Sequence, residues 1–189
     1  MAKSKKTARG KRSTGTKAAR RDDAISLLKA DHRQVEEWFG QFEKARDDNR
    51  KQTLATNICN ALKVHTMIEE EIFYPAFLEA TEETDIHHEA EVEHNGAKKL
   101  IAEIESGGPD DDYFDAKVSV LSEMIKHHVK EEEAPGGMFS KARDSDMDLQ
   151  ELGERLAARK AELEESNDEM MEGRPQSRTG SRAGSSAQR

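Results

Sequence analysis

Cysteine, tryptophan, tyrosine and proline are scarce in this 189-residue chain, which holds one, one, two and four of them. The single thiol, Cys59, has no internal disulfide partner, which suits a reducing compartment. With Ile58 and Leu62 beside it, it reads as a small packed group rather than a nucleophile. No apolar run is long enough to span a bilayer and no secretory leader is visible, so the expected location is cytoplasmic. Strand-like alternation of β-branched residues is also missing, which leaves an all-α fold. There is no Ser/His/Asp order, no phosphate-binding glycine loop and no cysteine pair. Those absences remove the usual signatures of triad hydrolases, nucleotide binders and dithiol redox proteins.

What the chain has in quantity is charge, at 37% of residues, with a mean hydropathy of −0.95. Its distribution is uneven. Residues 1–21 hold nine Lys/Arg and no acid, and residues 173–189 hold four Arg and no acid. Between them, residues 22–172 carry 17 basic and 39 acidic side chains, a net of −22. Both ends read as disordered tails, an N-terminal basic arm (1–21) and a C-terminal tail (173–189). The acidic middle repels nucleic acid, so any contact with it is expected only through the basic arm.

Helical periodicity organises the middle. A first helix starts near Asp22 with a seam of Ile25, Leu28, His32, Val35, Phe39 and Phe42, in steps of 3 and 4. A second runs to about Ala80 with Leu54, Ile58, Ala61, His65, Ile68 and Ile72, and Pro75 is expected to kink or loosen its last turn. A third, Asp85 to Glu105, buries His87, Ala90, His94, Ala97, Ile101 and Ile104. A fourth begins at Asp110–Asp112, buries Phe114, Val118, Leu121, Ile125, His128 and Glu132, and is interrupted by Pro135-Gly136-Gly137. Leu149, Leu152, Leu156 and Leu163 suggest a short fifth helix, exposed on one face, within a charged extension over 141–172. Short loops between four such helices predict an antiparallel up-down-up-down four-helix bundle over 22–140.

Four histidines therefore lie in seams near mid-helix, where antiparallel helices meet at one level. His65 and Glu69, and likewise His128 and Glu132, are four residues apart and share a helix face. Buried imidazoles and carboxylates are costly unless paired or bound to metal. The predicted metal ligands are His32, His65, Glu69, His94, His128 and Glu132. A nitrogen and oxygen donor set without thiolate suits iron or manganese. A single zinc would use only four of the six groups, whereas two metals bridged by both glutamates would use all. His127 and His88 fall off the buried stripe. His87 is a candidate to donate a hydrogen bond to a ligand from outside the set. Tyr74 and Tyr113 have no role assigned by pattern, and Trp38 reads as edge packing.

The segments Ala30-Asp31-His32, His65-Thr-Met-Ile-Glu69-Glu70 through Phe73-Tyr74-Pro75, Val92-Glu93-His94 and His128-Val-Lys-Glu131-Glu132 resemble the hemerythrin-like HHE cation-binding domain. The resemblance implies a four-helix bundle with a non-haem di-iron centre, histidine ligands and two carboxylate bridges, often redox-active with dioxygen. The chain departs from the oxygen carriers of that family at Ala90, where they have a fifth histidine. Water, Glu36 or Glu91 is left to fill that position. The resemblance thus points to an iron protein that senses or handles oxygen, peroxide, nitric oxide or iron. A di-iron enzyme consuming peroxide or oxygen and a metal-free helical interaction module are the rival readings.

Overall fold

Asp23 opens the first helix of the computed structural model, accepting the Ser26 N–H at 2.7 Å. The structure describes residues 23–172. The tails expected at 1–21 and 173–189 lie outside them. Helix α1 spans Ala24–Lys44 and α2 spans Asp48–Ile68, the latter capped by Asp47 on the Arg50 N–H at 2.9 Å. A π turn over Glu69–Phe73 leads into α3 (Tyr74–Thr81). Then come α4 (Thr84–Gly107), α5 (Phe114–Glu133), α6 (Met138–Asp144) and α7 (Leu149–Glu172). No strand occurs among the described residues.

Helices α1, α2, α4 and α5 form the four-helix bundle. Neighbours around the ring are α1 with α2, α2 with α4, α4 with α5 and α5 with α1. Two apolar clusters fill it. One holds Val35, Phe39, Ile58, Leu62, Ile101 and Leu121 at one end. The other holds Ile25, Leu28, Ile68, Phe73, Phe77 and Leu156 at the opposite end. His32 falls between Leu28 and Val35, His65 between Leu62 and Ile68, and His94 between Ala90 and Ala97. Each imidazole thus sits at the junction of the two clusters, and a polar layer is sandwiched between apolar ones.

The second helix differs from its predicted course. Ala61 and Ile72 are only half-buried, whereas Phe73 and Tyr74 are fully buried. The π turn is the cause. The Tyr74 N–H donates to the Glu69 carbonyl, five residues back, so one extra residue is wound into the turn. The following face rotates, and Tyr74 rather than Ile72 enters the core. Pro75, which has no N–H to offer, sits at the start of α3, and the helix continues beyond it to Thr81.

Three other boundaries shift. Helix α5 starts at Phe114, not at the aspartates, because the Asp111 carboxylate accepts the Tyr113 N–H at 2.8 Å and bonds Lys117 at 2.8 Å in the preceding turn. The unanticipated α6 buries Met138, Phe139 and Ala142. The expected short fifth helix is the 24-residue α7, which lies against α1, α2 and the π turn and buries Leu152 and Leu156. Its clamps are Arg159 on Glu71 at 2.7 Å and Lys160 on Asp31. No described helix is long and apolar enough to cross a membrane.

Gly136 and Gly137 turn the chain from α5 into α6. Gly136 adopts φ +81°, and a Cβ on Gly137 would lie 2.1 Å from the Glu131 carbonyl oxygen. Gly137→Ala should therefore push α6 away and cost about 1–3 kcal/mol, read as a lower Tm in thermal unfolding. Burial pushes the Cys59 thiol up to about 12. It should resist alkylation at pH 8 until the protein is unfolded, as mass spectrometry would report.

Candidate metal centre

The six predicted residues come together. The His32 and His65 Nε2 atoms are 3.1 Å apart, and those of His94 and His128 are 3.2 Å apart. Both carboxylates reach across the two pairs. Glu69 Oε2 lies 3.3 Å from His65 Nε2 and 3.4 Å from His94 Nε2. Glu132 Oε2 lies 3.5 Å from His32 Nε2, and its Oε1 lies 3.6 Å from His128 Nε2. All six residues are buried, Glu69 completely.

The outward face of each ring is as ordered as the inward one. Nδ1 of His32 meets Glu133 at 2.9 Å, that of His94 meets Glu70 at 3.0 Å, and that of His128 meets Glu93 at 2.8 Å. Nδ1 of His65 faces Asp31 at 3.5 Å. Each acid is the sequence neighbour of one of the six residues but serves a histidine on another helix. Asp31 precedes His32 and serves His65, as Glu93 precedes His94 and serves His128. Glu70 follows Glu69 and serves His94, as Glu133 follows Glu132 and serves His32. The α1–α2 half and the α4–α5 half are thus related by an approximate two-fold. Basic groups hold the acids in turn: Lys98 at 2.5 Å from Glu70, Arg33 at 2.5 Å and Lys29 at 3.2 Å from Glu133, and Lys160 on Asp31. Partners of this kind fix ring orientation and tautomer in histidine metal sites. Sequence reasoning assigned these acids no role, although an acid adjoining each histidine was visible.

An acceptor on Nδ1 demands a proton there, which leaves the Nε2 lone pair facing inward. Two such lone pairs at 3.1 Å repel unless a cation lies between them. In the metal-free protein a proton takes that place. Burial opposes charge on His65, but Glu69 and Asp31 outweigh it and carry its pKa up to about 10. His32 goes the other way, down to about 4, through burial and the neighbouring His65 charge. Burial and the Glu69 charge push Glu132 up to about 8. Burial raises Glu69 too, but His65 and His94 hold it well below the carboxylate range. Glu69 Oε1, Glu132 Oε2 and His65 Nδ1 are buried with no hydrogen-bond partner. Orphaned carboxylate oxygens among inward-facing nitrogens are what a cation would satisfy. Cis ligands at about 2.1 Å from a metal are separated by about 3.0 Å in an octahedron and about 3.4 Å in a tetrahedron, close to the spacings here.

Tyr74 is the group the pattern did not assign. Its hydroxyl lies 3.1 Å from His94 Nε2, 3.2 Å from Glu132 Oε1 and 3.5 Å from Glu69 Oε2. Its ring stacks on His94 at 5.3 Å, as Phe139 stacks on His32 at 5.8 Å. The two-fold therefore breaks at one oxygen atom. Neither Glu36 nor Glu91 enters the site: Glu36 is exposed and held by Arg33 at 2.9 Å, and Glu91 is exposed beside His87. His87, half-buried, packs edge-on against the Tyr74 ring and pairs with Glu91 at 3.8 Å instead of with any of the six. His127 is 61% exposed, His88 and Tyr113 are exposed, and Trp38 packs at the edge of the first cluster.

Comparison with known proteins decides the family. The profile of the Hemerythrin HHE cation binding domain matches residues 23–135, more than half of the chain. The chain belongs to that HHE family. The crystal structure of a hemerythrin HHE cation binding domain-containing protein from Mycobacterium kansasii shares the fold, with a TM-score of 0.68 at 20% identity, covering 81% of this chain and 94% of that one. A protein described as a DNA nickase, from Nostoc sp. (strain PCC 7120 / SAG 25.82 / UTEX 2576), is 27% identical over 108 residues. That match covers 57% of this chain and spans only 30% of the relative's length. In the HHE bundle, two groups of side chains converge within 4.8 Å, His32/His65/Glu69 and Glu69/His94/His128, and share Glu69.

The bond network makes a spectroscopic prediction. In a long-range ¹⁵N–¹H correlation spectrum of the metal-free protein, His32 should be neutral and carry its proton on Nδ1, facing Glu133. An Nε2–H tautomer would contradict the arrangement.

Proposed function

We propose that this HHE protein binds two non-haem iron ions. His32 and His65 would be terminal ligands to one, His94 and His128 to the other, and Glu69 and Glu132 would bridge. The observation that carries the reading is the pairing of Nε2 atoms at 3.1 and 3.2 Å with a carboxylate spanning both pairs on each side. The all-nitrogen-and-oxygen donor set favours iron or manganese over softer-ligand chemistry, and zinc fits less well with six donors. When bound, iron supplies one-electron exchange with a small oxygen or nitrogen ligand. The protein's part is to hold six donors in a dry layer. A void of about 10 Å³ touches all four imidazoles, between Val35, Leu62 and Ile125. A water-sized or diatomic group is the largest that fits there without rearrangement. Sensing or handling of dioxygen, peroxide, nitric oxide or iron itself is the function that such a site supports, in a reducing, cytoplasmic setting.

Peroxide consumption is the second reading, and Tyr74 favours it. Burial and the adjoining Glu69 charge hold its phenol pKa well above the usual range, so it keeps its proton and can donate a hydrogen bond to an oxygen ligand among the inward donors, 3.1–3.2 Å away. Tyr74→Phe, with iron content unchanged, should then lower peroxide turnover by about 10²-fold or more. Turnover equal to wild type would leave the sensing reading. The match to the Nostoc relative spans 30% of that protein's length, and the net charge of −22 over 22–172 leaves only the basic arm as a surface suited to nucleic acid.

Two tests bear on the ligand set. His128→Ala should lose iron, whereas His127→Ala should keep the wild-type content by elemental analysis; the reverse would displace the assignment by one residue. Iron uptake at pH 7 should also release protons. Glu132 (about 8) and His65 (about 10) each hold one in the metal-free protein and must lose it to bind. Affinity therefore falls as pH falls. Calorimetry in buffers of different ionisation enthalpy should report about two protons per chain, and none released would contradict the assignment.

A further inference from the structure

Outside the centre, one more set of metal-ligating side chains converges. His127 Nε2 lies 3.1 Å from Glu131 Oε1 and 3.4 Å from Glu93 Oε1 on the outer face of α4 and α5. His127 and Glu131 repeat the four-residue spacing of His128 and Glu132, one residue out of phase, so an outer pair runs beside the inner one. Glu93 belongs to both. Its Oε1 faces His127, and its Oε2 accepts from His128 Nδ1 at 2.8 Å. Space lies behind this cluster. A cavity of about 90 Å³ has Glu93 and Glu131 among its lining residues, together with His128 and Glu132 of the centre. Glu132 is 3% exposed, and its Oε2 has no hydrogen-bond partner. Surface donors, a cavity and the His128 and Glu132 side of the centre therefore follow one another, while Glu132 Oε2 itself turns further inward, toward His32.

We propose that His127, Glu131 and Glu93 form a capture site for a hydrated divalent cation, which loads the buried centre through this cavity. The proposal rests on the centre holding metal. The charge around the bundle favours this face. The groove of about 520 Å³ between α1 and α5, which reaches His32, is lined by Arg33, Lys126 and Lys130 against Glu36 and Glu133, so it attracts a cation less than the acidic α4–α5 face does. Glu89 adds a further acid to the lining on the α4–α5 side. The outer site offers one imidazole and two carboxylates on an exposed surface, enough to bind a cation weakly and release it inward. Glu93 gives up neither role, because its two oxygens face opposite ways.

The test is the rate of loading against its endpoint. Metal-free full-length protein is mixed anaerobically with ferrous ion, quenched with a chelator at intervals, and its retained iron measured. His127→Ala/Glu131→Gln should load about 10-fold more slowly than wild type, with a loading rate less sensitive to added salt. It should reach the same final iron content, and its metal-free Tm should be unchanged, since neither residue is buried. Lys130→Gln on the opposite face should load no more slowly than wild type. Equal rates for the double variant and wild type would overturn the capture site while leaving the centre intact. A lower final content in the double variant would overturn it in another way, by making His127 or Glu131 part of the centre. Failure of the wild type to retain ferrous ion would end both proposals.

Discussion

Four imidazoles and two carboxylates in the dry middle of a helical bundle are the constraint from which most of this structure follows. None of these groups is stable there alone. Each histidine is given an acid on its outer nitrogen, which turns its other lone pair inward. Asp31, Glu70 and Glu133 are each given a Lys or Arg at the surface, and Glu93 the exposed His127, so that charge alternates outward from the core. The inward side is left unsatisfied at Glu69 Oε1 and Glu132 Oε2. A network satisfied on its outer side except at His65 Nδ1, which faces Asp31 at 3.5 Å, and incomplete on its inner side calls for a cation at its centre. The rest of the fold serves that layer: two apolar clusters exclude water above and below it. The π turn brings Tyr74 onto His94, the Gly136-Gly137 turn brings Phe139 onto His32, and α7 ties Lys160 to the acid behind His65.

The approximate two-fold gives this arrangement economy, and its breaks mark where function can differ between halves. Asp31, His32, His65, Glu69 and Glu70 correspond in role to Glu93, His94, His128, Glu132 and Glu133. The aromatic lids do not correspond fully. Tyr74 brings a hydroxyl among the inward donors, whereas Phe139 brings only a ring face. The two sides of the bundle differ as well, with a largely apolar groove of mixed charge over His32 and an acidic surface over His128. The site thus has one polar corner, at His94 and Tyr74.

Much of the core was legible because helices write a strict period. Steps of 3 and 4 placed His32, His65, His94 and His128 in seams, and the same period separated buried His128 from exposed His127. What stayed hidden depended on tertiary geometry or on local winding. Asp31, Glu70, Glu93 and Glu133 adjoin predicted ligands, but adjacent helical residues point about 100° apart, so each serves a neighbouring helix that the sequence does not display. The π turn has no signature in Glu69–Phe73 beyond the nearby proline, and its extra residue exchanged Ile72 for Tyr74. Helix α6 is one short element behind two glycines that read as a stop. Helix α7 ran longer than its sparse leucines suggested because Leu152 and Leu156 bury against the bundle while its other faces are charged.

Metal stoichiometry tests the two-ion centre most directly. Elemental analysis of the full chain, purified under iron-replete conditions, should give two iron ions per polypeptide. Protein that is folded yet retains one ion or none, with a melting temperature indifferent to chelation, would contradict it.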